Sequence, residues 1–276
     1  MCDTASQSVA VGFFDGVHLG HRAILEGADV ALTFRNHPLT VLAPERAPRL
    51  VMSLSSRLEA LYSTGVKEVV ALEFTPELAA MPPETFLRTY LAPFKTIRCG
   101  ANWRFGQGGA GDALLARSLG WNVEICGCRE HDRQRISSTR IRTAIESGAI
   151  REANAMLGQP WFINGCVCAG KGLGRQIGFP TVNVKAFDLE LLIRRGVYAV
   201  EVAGRRAVAN WGCAPTMRER AWSANTLEIH FLEDGFPSDQ TLKVSFLDFI
   251  RDEICFPSLD ALKVQIARDV KAVENL

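Results

Sequence analysis

The chain has 276 residues, is 47% hydrophobic and 22% charged, and carries a formal net charge of +1. That composition suits a soluble globular protein of one large or two medium domains, and its near-neutral charge excludes a global field drawing it to nucleic acid or membrane. No apolar run reaches the roughly 18 residues of a membrane span, and the polar start Met1–Ser8 has no signal-peptide pattern; both predict a cytoplasmic protein with no nucleic-acid or membrane partner.

In chain order, Val9–Gly12, Asp29–Phe34, Glu68–Phe74, Thr96–Gly100 and Asn122–Gly127 read as strands, several continuously apolar, as in strands covered on both faces. Helix-like stretches alternate with them. In Ser53–Thr64, Leu54, Leu58 and Leu61 follow helical spacing up to Gly65; Pro83–Leu91 opens on proline, and Asp112–Leu119 follows a glycine-rich loop. This order predicts a doubly wound α/β domain with a parallel sheet. Two helices follow, Ser138–Ser147 and Ile150–Leu157, each ended by glycine. From Trp161 the texture changes to short strands without crossover helices: Phe162–Ala169, Gly196–Val202, Arg206–Trp211, Asn225–Phe231 and Thr241–Ile250. That pattern predicts a small antiparallel barrel. An amphipathic helix, Ser258–Val273, ends the chain, and the domain boundary is predicted near Gly158–Pro160, giving domains 1–158 and 159–276. The eight cysteines include two C-x-C pairs inside strand-like runs (Cys126 and Cys128, Cys166 and Cys168) but no paired C-x-x-C, so they are read as reduced core residues rather than zinc ligands.

Two constellations carry chemistry. The first is Gly12-Phe13-Phe14-Asp15-Gly16-Val17-His18-Leu19-Gly20-His21, where an apolar strand passes into a helix. Glycines there allow close approach of backbone to phosphate, and two imidazoles three residues apart share a helix face and can donate to oxygens on phosphorus. Thr33-Phe34-Arg35-Asn36-His37-Pro38 and Gly100-Ala101-Asn102-Trp103-Arg104-Phe105-Gly106 end strands at the same sheet edge, and Ile136-Ser137-Ser138-Thr139-Arg140-Ile141-Arg142 puts hydroxyls and guanidiniums at a helix start.

Over about residues 9 to 157 these segments resemble the nucleotidyltransferase domain of prokaryotic bifunctional riboflavin kinase/FMN adenylyltransferases, a Rossmann-like H-x-G-H domain. The resemblance implies that His18 and His21 are catalytic, stabilising ATP phosphates during attack at the α-phosphorus. It implies phosphate contacts from Gly12, Phe14, Asp15, Gly16, Gly20, Ser138, Thr139 and Arg142, and flavin contacts from His37, Pro38, Asn102, Arg104 and Phe105. Two departures stand out. Asn102 replaces an aspartate, and only Arg22–Leu32 separates His21 from Thr33, so the crossover helix must be about two turns long.

The second constellation runs Gly165-Cys-Val-Cys-Ala-Gly170-Lys-Gly172-Leu-Gly174-Arg175-Gln-Ile-Gly178-Phe179-Pro180-Thr181-Val182-Asn183. Glycines let amides wrap phosphates, and Thr181 and Asn183, two apart on extended chain, face one way with hard oxygen ligands. Glu228 lies in an otherwise apolar strand, where a carboxylate is either an edge residue or a general base. Over about residues 160 to 273 the chain resembles the riboflavin kinase domain of the same family. That resemblance implies a six-stranded antiparallel barrel with a terminal helix, Thr181 and Asn183 as Mg²⁺ ligands, and Glu228 as base. It also implies ATP contacts at Gly170, Gly172, Gly174 and Arg175, flavin contacts at Asn210 and Arg251, and a flap over 215–228. Expected partners are riboflavin, FMN and ATP as co-substrate. Two other readings compete: a riboflavin kinase whose N-terminal site has decayed, and a flavin-sensing module without turnover.

Overall fold

The computed structural model describes residues 7–170, 173–187, 193–212, 226–233 and 235–276. The chain divides into two compact units, Met1–Ser138 and Thr139–Leu276.

The first unit contains strands β1 (Ser8–Val11), β2 (Val30–Phe34), β3 (Glu68–Leu72), β4 (Thr96–Gly100), β5 (Asn122–Cys126), β6 (Glu130–His131) and β7 (Gln134–Arg135). Its helices are α1 (Leu19–Leu25), α2 (Leu39–Leu42), α3 (Leu54–Tyr62), α4 (Pro76–Ala79), α5 (Pro83–Phe86) and α6 (Ala113–Ser118). The first five strands form a parallel sheet in the order β3-β2-β1-β4-β5. Val9, Val11, Val30, Leu32, Ile97, Cys99 and Val123 bury one face of it against Phe86, Leu87, Leu91 and Phe105. The chain leaves central β1 for β2 on one side and later fills β4 on the other. The crevice beyond the carboxyl ends of these strands is where such sheets bind ligands. The expected short crossover is α1, seven residues or about two turns. Side-chain caps start α3 and α6: Ser53 Oγ accepts from the Ser56 N–H, and Asp112 from the Leu114 and Leu115 N–H groups. The helix expected over 83–91 is α5 continued by a π-helical turn, Leu87–Leu91. The β6–β7 hairpin was not anticipated.

The second unit begins with α7 (Ser138–Ser147, its first residue closing the first unit) and α8 (Ile150–Leu157). Strands β8 (Trp161–Cys168), β9 (Val182–Ala186), β10 (Gly196–Val202), β11 (Arg205–Trp211), β12 (Thr226–Phe231) and β13 (Thr241–Arg251) close an antiparallel barrel in the order β10-β11-β12-β9-β8-β13. Helices α9 (Leu173–Gln176) and α10 (Leu259–Glu274) complete the unit. The sixth strand, β9, follows the Phe-Pro-Thr turn, where sequence pattern had placed no strand. Trp161, Tyr198 and Phe246 are fully buried and pack ring to ring. Helix α8 belongs with the barrel: the Asn154 amide donates to the Phe246 carbonyl (2.8 Å) and its oxygen accepts from the Trp161 N–H (2.7 Å). The division after Ser138 thus keeps both connecting helices with the second unit, twenty residues upstream of Gly158.

Candidate functional sites

In the first unit, the chain turns after β1 through Gly12–Val17, with Phe14 and Val17 in left-handed backbone (φ 58° and 42°). Such geometry costs roughly 1–2 kcal/mol per residue. It is held because Phe14 is buried and because the Asp15 carboxylate, also buried, accepts from the Val51 and Met52 N–H groups (2.9 and 3.3 Å). Asp15 is therefore engaged in fixing the turn, and Ser138 Oγ donates to its carbonyl (2.9 Å).

The turn delivers His18 as the N-cap of α1, its Nδ1 accepting from the His21 N–H at 3.2 Å. That bond places the ring hydrogen on Nε2 and leaves His18 an Nε2–H donor. The two imidazoles do meet, but as a stack (centroids 3.5 Å apart, planes 15° apart) rather than as residues of one helix face. Gly20 makes room: a Cβ there would lie 3.1 Å from the His18 ring. Burial pushes His18 down to about 4, and burial, His18 and Arg135 hold His21 well below the ordinary imidazole value. Both rings are neutral near pH 7. His21 Nδ1 is buried and has no hydrogen-bond partner among the described residues.

Gly12 extends β1, its N–H donating to the Leu32 carbonyl. His37 Nδ1 accepts from the Leu39 N–H, its ring meets Phe13 edge-on at 4.7 Å, and Pro38 precedes α2. Phe105 is buried and stacks on Trp103 at 4.4 Å, whereas Arg104 pairs with Asp112 at 2.8 Å. Asn102 Oδ1 accepts from Arg135 Nη2 at 3.4 Å, so the amide retains an acceptor where the family pattern has a carboxylate. Arg135 was not singled out from sequence. Hairpin β6–β7 brings its charge close enough to act on both histidines, and the only sequence signal was its place directly before Ile136-Ser137-Ser138. Thr139 and Arg142 lie on α7.

In the second unit, ladder register does the positioning. Strand β12 lies between β11 and β9, with Glu228 directly opposite Asn210 on one side and Asn183 on the other. Paired residues of an antiparallel ladder share a face, so the three side chains stand in a row. Thr181 Oγ1 donates to Glu228 Oε1 at 2.8 Å. Gly174 approaches so closely that a Cβ would overlap the Phe179 carbonyl and lie 3.0 Å from Thr181 Oγ1.

Two cavities share Thr181. One, of about 160 Å³, is mostly apolar and includes Ile177, Asn210, Glu228, His230, Arg251 and Ile266. The other, of about 760 Å³, is lined by Gly170, Arg175, Asn183 and Phe236 among others. Asn183 is buried and its Oδ1 has no partner among the described residues. An orphaned amide oxygen beside a hydroxyl whose hydrogen is already committed fits a hard cation. Arg251 donates through Nε and Nη2 to the buried Asp269 carboxylate, so its guanidinium clasps β13 to α10. Gly172 and the flap as far as residue 225 lie outside the described residues.

An α/β unit with a histidine pair at its switch point, followed by a closed barrel with a Thr181–Glu228 pair where two cavities meet, defines a two-site transferase of the nucleotide-handling class. The FAD synthetase family model matches residues 2–140 and the riboflavin kinase model residues 157–276. The chain is 35% identical over 284 aligned residues to the bifunctional riboflavin kinase/FMN adenylyltransferase of Escherichia coli K12, covering 95% of this chain and 90% of that protein. It is 31% identical to the protein so named from Bacillus subtilis, over 97% and 91% of the two chains. A solved structure from Streptococcus pneumoniae, described as a macrolide-efflux protein, matches with a TM-score of 0.85 and 30% identity over 98% of this chain and 95% of that one. Among the described residues no helix here is long and apolar enough to cross a membrane. The chain belongs to the bifunctional riboflavin kinase/FMN adenylyltransferase family.

Proposed function

We propose that this chain makes FMN from riboflavin in its second unit and FAD from FMN in its first, with ATP as co-substrate and Mg²⁺ in the kinase site. The observation that carries the reading is the Thr181–Glu228 hydrogen bond at the junction of two cavities, one mostly apolar and one wide. Riboflavin in the first cavity presents its ribityl 5′-hydroxyl to Glu228, which accepts the proton as the oxygen attacks the γ-phosphorus of ATP and ADP leaves. Thr181 and Asn183 would hold Mg²⁺, which supplies charge neutralisation on the phosphates. Gly170, Gly172, Gly174 and Arg175 are the proposed phosphate contacts, and Asn210 faces the flavin side. Arg251 acts through Asp269, by holding the helix that walls the pocket.

In the first unit the FMN phosphate attacks the ATP α-phosphorus and pyrophosphate leaves. The His18 Nε2–H and the His21 ring stabilise charge at phosphorus as neutral donors, and Arg135 adds a cation. Asp15 supports this chemistry by fixing the turn. Flavin contacts are assigned to His37, Pro38, Asn102, Arg104 and Phe105. The reactions are assigned to the cytoplasm, and the domain boundary to the stretch between Ser138 and Gly158.

One incubation tests the whole reading: riboflavin with Mg·ATP, products separated by chromatography. FAD is the expected end product. FMN alone would establish a kinase with a decayed partner site, and neither product a flavin-sensing module.

A further inference from the structure

Arg57 lies within α3, one residue before Leu58. A guanidinium at such a position is ordinarily solvated, yet Arg57 is fully buried. Its Nη1 donates to the Phe13 carbonyl (3.2 Å), and its Nη2 to the carbonyls of Phe34 (2.6 Å) and Arg35 (3.0 Å). The guanidinium plane also covers the Phe13 ring at 4.0 Å. Phe13 is held from a second side, its carbonyl accepting from Thr33 Oγ1 (2.9 Å) and its ring meeting His37.

Burying a cation against neutral carbonyls is costly, and an apolar side chain of the same length would fill the helix–sheet interface without that cost. What an apolar residue could not do is bind two loops at once. Phe13 lies on the turn that delivers His18, and Phe34 and Arg35 begin the segment ending in His37. A planar fork with donors pointing in two directions reaches both; a lysine ammonium, a single point, does not. Burial lowers the Arg57 pKa to about 10, partly opposed by nearby Asp15, and leaves the group charged at neutral pH.

We propose that Arg57 is a positioning residue of the adenylylation site, tying the loop after β1 to the loop after β2 so that the histidine pair and the flavin-side segment keep a fixed separation. The inference rests on adenylylation taking place in this unit.

The test uses the full chain, with FAD formation from supplied FMN and ATP and riboflavin phosphorylation measured on the same preparations, and with folding followed by circular dichroism and thermal unfolding. Arg57→Met should lower kcat/KM for FMN by about 100-fold, the scale of small misplacements at a reacting centre. Arg57→Lys should recover part of kcat while KM for FMN stays raised. Riboflavin phosphorylation should match wild type in both. FAD kinetics within twofold of wild type in Arg57→Met overturns the proposal. If Arg57→Met does not fold, Arg57→Lys decides: a folded Lys variant with wild-type kcat and KM assigns Arg57 to stability alone. Absence of FAD from the wild-type chain overturns the adenylylation reading and this proposal together, a result separable from any variant effect.

Discussion

The two sites of this chain are built on opposite plans. In the barrel, the proposed reactive row Asn210–Glu228–Asn183 follows from strand pairing, one residue from each of three adjacent strands. In the α/β unit, the groups sit on loops beyond the strand ends, and no ladder relates them. Their spacing depends on side chains that serve as ties: Asp15 to the 51–52 backbone and Arg57 to three carbonyls. A sheet ladder positions through many shared backbone bonds, so single changes there remove chemistry and leave geometry intact. A loop site positions through a few buried polar groups, each costly to break.

The largest expected effect removes chemistry from the ladder site alone. Glu228→Gln should lower riboflavin phosphorylation by about 10²–10⁴-fold, the usual cost of losing a general base, while FMN-to-FAD conversion continues. Unchanged phosphorylation would take Glu228 out of the mechanism. Next comes the mirror experiment. His21→Ala should lower FAD formation about 10²–10³-fold, the scale for one lost donor to a charged transition state, with FMN formation intact. Wild-type FAD synthesis in this variant would move the site elsewhere.

Acid should also separate the units. The unfolded chain protonates its histidines near 6.5, whereas folded His18 resists down to about 4 and His21 lies well below its ordinary value. The stabilisation from keeping these rings neutral is complete above 6.5 and is lost as pH falls from 6.5 toward 4. For His18 it amounts to about 3 kcal/mol at most. Thermal unfolding followed from pH 7 to 4.5, with one transition assigned to each unit, should show the first unit losing stability faster. Parallel slopes would contradict the neutral-pair assignment.

The smallest effect probes a tie within the barrel site. His230 Nδ1 lies 2.9 Å from the Pro180 carbonyl, which can only accept, so the hydrogen sits on Nδ1 and pins the turn preceding Thr181. Losing one such bond costs about 1 kcal/mol. His230→Ala should therefore raise KM for Mg·ATP about fivefold with little change in kcat, and His230→Asn should restore much of it. An unaltered KM in the alanine variant would make the bond incidental.

Legibility in the sequence followed the same division. The alternation of strands and helices, the change of texture after residue 160 and the two-turn crossover were all readable because period and punctuation are local signals. Strand β9 was not: five residues with an internal Lys185, directly after a proline turn, offer little pattern, and pairing with β8 and β12 makes them a strand. Arg57 was hidden for a related reason, since a charged residue between leucines on a helix reads as its wet face until tertiary packing covers it. Arg135 and the hairpin that carries it give a two-residue strand signal, below what periodicity can detect. Asp15 and Arg251 were picked out by motif, and their partners, Val51, Met52 and Asp269, are 36, 37 and 18 residues away in sequence.

Barrel closure joins the first strand of the second unit to the last, Trp161 opposite Phe246 and Cys166 opposite Thr241. For a chain emerging from the ribosome, the barrel therefore has no finished wall until its final strand has been made, while the parallel sheet of the first unit is complete once β5 has been made. A chain cut short between α8 and β13 would accordingly keep the first unit and α7 but leave the barrel open, so truncation there falls on riboflavin phosphorylation first.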